Sequence, residues 1–173
     1  MLDWPEDNCS SQLTTMGSYI SGGGQEVELG TIDYVNIDSS GRHGEIEKAL
    51  AIAKETGKPL FCNYVEWSGW QGCKDAGKIF AQSQIVKAAE ELFVPCAFNT
   101  WDRYKGNFNE PFKRWSGRLE ESWWGYLRIV DCEGKNVIAG TGQLTGYHKY
   151  DEVKETIVKA LKKLGKEVPD YLQ

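Results

Sequence analysis

The residues best equipped for chemistry are five cysteines, Cys9, Cys62, Cys73, Cys96 and Cys132, with two histidines beside them. An odd, widely spaced set in 173 residues does not form the disulfide framework of a small secreted domain. Nor does it supply the paired spacings of a zinc site. At least one thiol is therefore free unless two chains are cross-linked. Cys73 opens the stretch Cys-Lys-Asp-Ala-Gly-Lys-Ile-Phe, which reads as helical. A thiol in a first helical turn ionises more readily than a free cysteine. The alternative is a partly buried helix residue with no chemistry. Cys96 reads as a core strand residue, and Cys9 and Cys132 as surface residues. His148 stands in a Gly-rich loop, either as a base or proton relay or as a solvated side chain. Asp102 and Glu66 are weaker candidate acids. The run Gly140 to Gly146 follows a strand but lacks the spacing of a phosphate loop. No metal and no cofactor is expected.

These residues depend on elements that alternate along the chain. Residues 1–25 read as an irregular arm and 26–166 as one domain, followed by a short tail over 167–173. Val27 to Val35 reads as a strand region. Glu45 to Thr56 reads as a helix, with Ile46, Ala49, Leu50 and Ala53 on one face, stopped by Gly57 and Pro59. Leu60 to Trp67 is a nearly continuous apolar run, as in a strand covered on both faces. Cys73 to Ala81 reads as helix, with Ser83 capping a further helical stretch to Leu92. Phe93 to Thr100 is the next strand, with Pro95 near its start. A short helix is expected around Pro111 to Ser116. Tyr126 to Asp131 and Lys135 to Ala139 form a hairpin around Asp131-Cys132-Glu133-Gly134. Asp151 to Leu164 is the last helix.

The expected architecture is α/β: a central mixed sheet of about five strands flanked by helices. Right-handed crossovers make the first three strands parallel, and the hairpin adds two antiparallel ones. Open sheets of this kind place their sites where the parallel strands end. Trp67 to Cys73 follows one strand there, and Thr100 to Arg103 follows its neighbour. Trp123-Trp124-Gly125 begins the hairpin at the same edge, and the segment reaching His148 leaves it. Trp67, Trp70, Trp101, Trp123 and Trp124, five of seven tryptophans, thus converge on the edge that holds Cys73. Together with Ser68, Gly125 and His148 they form either a binding surface for a protein partner or an apolar small ligand, or an aromatic plug.

The ordered series of motifs resembles the thioredoxin-like domains of thiol:disulfide interchange proteins, over roughly residues 27 to 164. Ala53 to Phe61, Tyr64-Val-Glu-Trp67, Cys73 to Phe80 and Val130-Asp-Cys-Glu-Gly-Lys135 carry the likeness. The resemblance implies a thioredoxin-like fold and a thiol-based redox or disulfide-exchange role. It also locates the departures. In the family the Trp is followed at once by Cys-x-x-Cys, whereas here Trp67 is followed by Ser68-Gly-Trp-Gln-Gly-Cys73. Cys73 matches the second, resolving cysteine, and the first is absent. Gly125 stands where the family has a proline facing the site, and Cys62 where many members bury an aspartate. If the likeness holds in register, Cys62 lies under Cys73, and the two form a relocated redox pair or stay as reduced core thiols. The alternative function is a non-catalytic binding module that uses the tryptophan-rich edge.

Composition sets outer bounds. The net charge of -5 argues against wholesale binding to nucleic acid or anionic membrane. No apolar run is long enough to span a bilayer. The polar start from Met1 to Tyr19 carries no signal-peptide pattern, so the expected location is cytoplasmic, or periplasmic if the start has been processed.

Overall fold

The structure is a computed structural model that describes residues 19–20, 26–27, 32–37, 43–65, 78–99, 114–117, 125–144 and 149–173. Strand β1 (Tyr19–Ile20) pairs antiparallel with β2 (Glu26–Val27) as a separate two-residue ladder. The other strands are β3 (Val35–Ile37), β4 (Leu60–Val65), β5 (Val94–Asn99), β6 (Tyr126–Val130) and β7 (Val137–Gly140). The helices are α1 (His43–Thr56), α2 (Ser83–Leu92) and α3 (Tyr150–Lys163). Single helical turns lie at residues 78–80 and 114–116, and a 3-10 turn spans Asp170–Leu172.

The main sheet is mixed, with order β3-β5-β4-β6-β7. β3 and β4 run parallel to β5, while β6 is antiparallel to β4 and β7 to β6. Strands of four to six residues carry the sheet, and the three-residue β3 closes one edge.

Period-2 alternation sorts the side chains onto two faces. Leu60, Cys62 and Tyr64 of β4 join Val94, Cys96 and Phe98 of β5 and Tyr126 and Val130 of β6. α1 covers this face with Ile46, Ala49, Leu50 and Ala53, the spacing of one helical stripe. Phe61, Leu127, Ile129 and Ala139 point to the other face, where α2 brings Ile85, Ala88 and Ala89 and α3 brings Val153, Ile157, Ala160 and Leu161. Both Phe61 and Cys62 are fully buried, as a strand covered on both sides requires.

Helix ends show local departures from expectation. Ser83 is the first residue of α2 and not its cap. Gln82 holds the cap position and makes no capping bond there; its amide donates instead to the Lys78 carbonyl. α3 has Asp151 and Glu152 in its first turn and Lys162 and Lys163 in its last, which suits the helix dipole. It closes with Lys166 N–H on Leu161 O and Gly165 N–H on Lys162 O, around Gly165 at φ 66°. The tail is not free: Leu172 is buried in the α2/α3 core.

Two further corrections concern the N-terminal region. Residues 19–20 of the expected irregular arm form β1. The expected strand region from Val27 to Val35 is divided, because Ile32 to Tyr34 are not strand; Ile32 is buried in the core and Tyr34 packs against it. β7 lies at the sheet's other edge, and Lys163 of α3 donates to its Ile138 carbonyl at 2.7 Å. No helix among the described residues is long and apolar enough to cross a membrane.

Candidate functional site

Two places in the fold concentrate the candidate residues. The first is the rim where β4 and β5 end and β6 begins. Val65 and Asn99 are paired at the last rung of the two parallel strands. Gly125 precedes β6, and its N–H donates to the Tyr64 carbonyl at 2.8 Å. The Gly125 carbonyl accepts the Leu144 N–H at 2.6 Å, which draws the segment after β7 to the same point. Gly125 has φ 76°, and a Cβ there would lie 3.3 Å from the Leu144 carbonyl oxygen. Backbone therefore packs on backbone where the resemblance would place a proline. Cys73, Trp67, Ser68, Trp70, Trp101, Trp123, Trp124 and His148 lie outside the described residues, as do Cys9, Glu66 and Asp102.

The second place is a row of side chains across the middle of the sheet. Cys96 and Cys62 are register partners on β5 and β4, and Cys62 and Arg128 are register partners on β4 and β6. All three point toward α1, since Leu127 and Ile129 on either side of Arg128 belong to the opposite core. Cys62 and Cys96 are both fully buried and carry free thiols. Cys96 Sγ donates to the Val94 carbonyl at 3.6 Å. Burial pushes the Cys62 thiol well above its ordinary range, the neighbouring Cys96 adds to this, and the Arg128 charge works against it. Tyr64 is likewise pushed up by burial and the Cys62 thiol, with Arg128 again opposing.

Arg128 is fixed in place. Its Nη1 donates to the carbonyls of Leu127 (2.9 Å) and Thr141 (2.8 Å), and its Nη2 to that of Ser116 (3.1 Å). The guanidinium lies 5.3 Å from the Tyr126 ring centre. Gly140 opposite leaves the space it needs, because a Cβ there would sit 2.8 Å from Arg128 Cδ. Arg128 carries a signal in the sequence that was not used above: one charge inside the apolar strand Tyr-Leu-Arg-Ile-Val.

A second residue passed over is Asn63, the lone amide in the apolar β4. It is 3% exposed on the face opposite Cys62. Its Nδ2 donates to the Tyr34 hydroxyl at 3.3 Å, while its Oδ1 has no partner among the described residues. Tyr34 is pushed up chiefly by burial.

The expected Cys62–Cys73 pair has only Cys62 within the described residues, and its thiol neighbour there is Cys96. Cys132 is half-buried in the hairpin turn and touches the α1 core, so it is less exposed than a pure surface residue. Among the described residues no group of three or more His, Cys, Asp or Glu side chains could hold a metal ion. No family model matches the chain, and no curated protein matches its sequence at a significant level.

Proposed function

We propose that this chain is a thioredoxin-like protein with a thiol-based redox or disulfide-exchange role carried by Cys73. One observation carries the reading: the ends of β4 and β5 and the start of β6 meet at a single rim, tied by the Gly125–Tyr64 bond. Three parallel strands followed by an antiparallel hairpin is also the arrangement that the resemblance implies. The segment bearing Cys73 departs from this rim directly after Val65. Among the described cysteines none competes for the role. Cys62 and Cys96 are fully buried, and Cys132 follows the far end of β6.

Cys62, the resolving partner that the resemblance implies, is fully buried and faces α1. The test is thiol labelling under native conditions. Cys73 is expected to react faster than the other four thiols, and Cys73→Ser to abolish that fast phase. A native chain whose fast phase survives Cys73→Ser would defeat the proposal. A two-proton mass loss on mild oxidation, mapped to Cys62 and Cys73, would support the relocated pair.

The same rim favours a second reading, a binding module. Trp67 and Trp101 follow Val65 and Asn99 by two residues, and Trp123 and Trp124 precede Gly125 by two and one. Two peptide links span at most about 7.6 Å, so the backbones of four tryptophans are tethered near this edge. An unreactive Cys73, with tryptophan emission quenched by a protein partner or an apolar ligand, would favour this function over redox chemistry.

A further inference from the structure

The outer face of α3 is used by neither reading of the rim. Helical spacing sends Val153, Ile157, Ala160 and Leu161 into the core. Asp151, Glu155, Lys159 and Lys162 fall on the other side and are exposed. Between them Val158 and the buried Leu172 of the tail give the groove along this face an apolar floor. The three ion pairs among the described residues involve other side chains, so these four charges are not spent within the chain. The helix dipole does not account for Glu155 and Lys159, because its effect is confined to the first and last turns.

The pattern is complementary to itself. Glu155 and Lys162 are seven residues apart, which is close to two full turns, so they share one line along the helix. They stand at equal distances on either side of the point between Val158 and Lys159. Turning the helix end for end about that point carries Glu155 onto Lys162 and Lys162 onto Glu155. Lys154 and Lys163 would meet as like charges under the same operation, but they lie on opposite flanks of the helix. Both are also drawn aside: the Lys154 ammonium donates to the Gln173 carbonyl at 3.1 Å and the Lys163 ammonium to that of Ile138 at 2.7 Å.

We infer that this face binds the same face of a second copy of the chain, with the two α3 helices antiparallel across a twofold axis. In such an isologous contact every pair is made twice. Glu155 of each copy meets Lys162 of the other, Val158 and its counterpart lie near the axis, and the two helix dipoles oppose one another. A helix of 14 residues is about 21 Å long. A contact of that length is well below the standard interface of about 1,600 Å², so the dimer is weak, with a dissociation constant on the order of 100 μM.

The test uses the full chain under reducing conditions, so that no disulfide links two copies. Sedimentation equilibrium from about 10 μM to about 1 mM should show monomer and dimer in exchange. Glu155→Lys and Lys162→Glu each set like charges together twice in a homodimer and should each weaken it at least about tenfold. Glu155→Lys lowers the net negative charge of the chain, so overall repulsion does not explain a loss there. Mixed in equal amounts, the two variants regain both opposite-charge pairs, and the mixed dimer should return to within about threefold of the parent. Both side chains are exposed, and circular dichroism checks the fold. Should a variant fail to fold, the parent chain decides alone: in a mixture of unlabelled and nitrogen-15-labelled chains, a carbodiimide should join Glu155 of one isotope to Lys162 of the other, with loss of water. A parent chain that stays monomeric at about 1 mM overturns the inference and leaves the groove to a different occupant. Variants that associate as well as the parent overturn it by assigning the contact to another face. A mixture that stays monomeric, or a parent dimer without the mixed-isotope link, overturns the antiparallel arrangement. None of these outcomes bears on the role given to Cys73.

Discussion

The Gly125 carbonyl accepts the Leu144 N–H at 2.6 Å, while the Gly125 Cα hydrogens face the Leu144 carbonyl so closely that a Cβ would sit 3.3 Å from its oxygen. At this point the start of β6 and the chain after β7 thus meet backbone to backbone. Gly125→Ala places a side chain at φ 76° and against that carbonyl. The expected cost is about 1–3 kcal/mol in urea unfolding, with the denaturant slope unchanged. A change below about 0.5 kcal/mol would mean that this contact does not constrain the rim.

Arg128 joins three segments: its own strand, Thr141 after β7, and the turn at Ser116. Arg128→Met keeps much of the stem and removes the guanidinium donors from the Leu127, Thr141 and Ser116 carbonyls. It should destabilise the chain by about 2–3 kcal/mol. Arg128→Lys should recover only part of the loss, since an ammonium cannot reproduce the planar fork. Full recovery with Lys would show that charge alone matters.

Asp131 organises the hairpin turn. Its Oδ1 accepts the Lys135 N–H at 2.8 Å, and its Oδ2 accepts both the Asn136 N–H at 3.0 Å and the Asn136 amide at 2.7 Å. Partial burial would raise the carboxyl, but these bonds outweigh it and hold the group below its usual range. A depressed folded value means that the stabilisation is complete above the unfolded pKa, about 3.9, and disappears as pH falls through the folded value. Asp131→Ala is therefore expected to cost about 1 kcal/mol at pH 7, with the difference from the parent chain shrinking below pH 4. Unfolding curves at pH 7 and pH 3 check both parts. A difference that persists at acid pH would assign the effect to turn propensity instead.

Asn63 contributes a buried acceptor without a described partner. Replacing it by Leu exchanges an amide with one unsatisfied oxygen for an apolar group of similar size. The buried Tyr34 hydroxyl loses only the long 3.3 Å bond from Nδ2. Asn63→Leu should leave stability unchanged or raise it by up to about 1 kcal/mol. A loss larger than that would reveal a hydrogen-bond partner for Oδ1.

The elements with a strong period were legible in the sequence. The stripe Ile46, Ala49, Leu50, Ala53 marked α1, and the apolar run from Leu60 marked a strand buried on both faces, because each pattern records which side must leave water. The hairpin was readable from Asp131 and Gly134, since a turn needs those local geometries whatever surrounds it; Gly134 has φ 71°. The neighbourhood of Cys62 was harder. Chain order placed Cys96 on an adjacent strand, but which residue stands opposite Cys62 depends on register, and apolar strands do not encode register in one sequence. Arg128 and Asn63 were missed for a related reason. A polar residue in a strand can face solvent or be buried against carbonyls, and only the packing decides. The two-residue strands β1 and β2 carry too few residues for any period to show.

The ammonium of Lys163 on the Ile138 carbonyl has a consequence beyond this one molecule. An open sheet margin normally offers a stray extended peptide a line of acceptors on which to extend the ladder. At β7 one of those acceptors is already taken by a tethered positive charge. Recruitment through that carbonyl would have to displace the ammonium first.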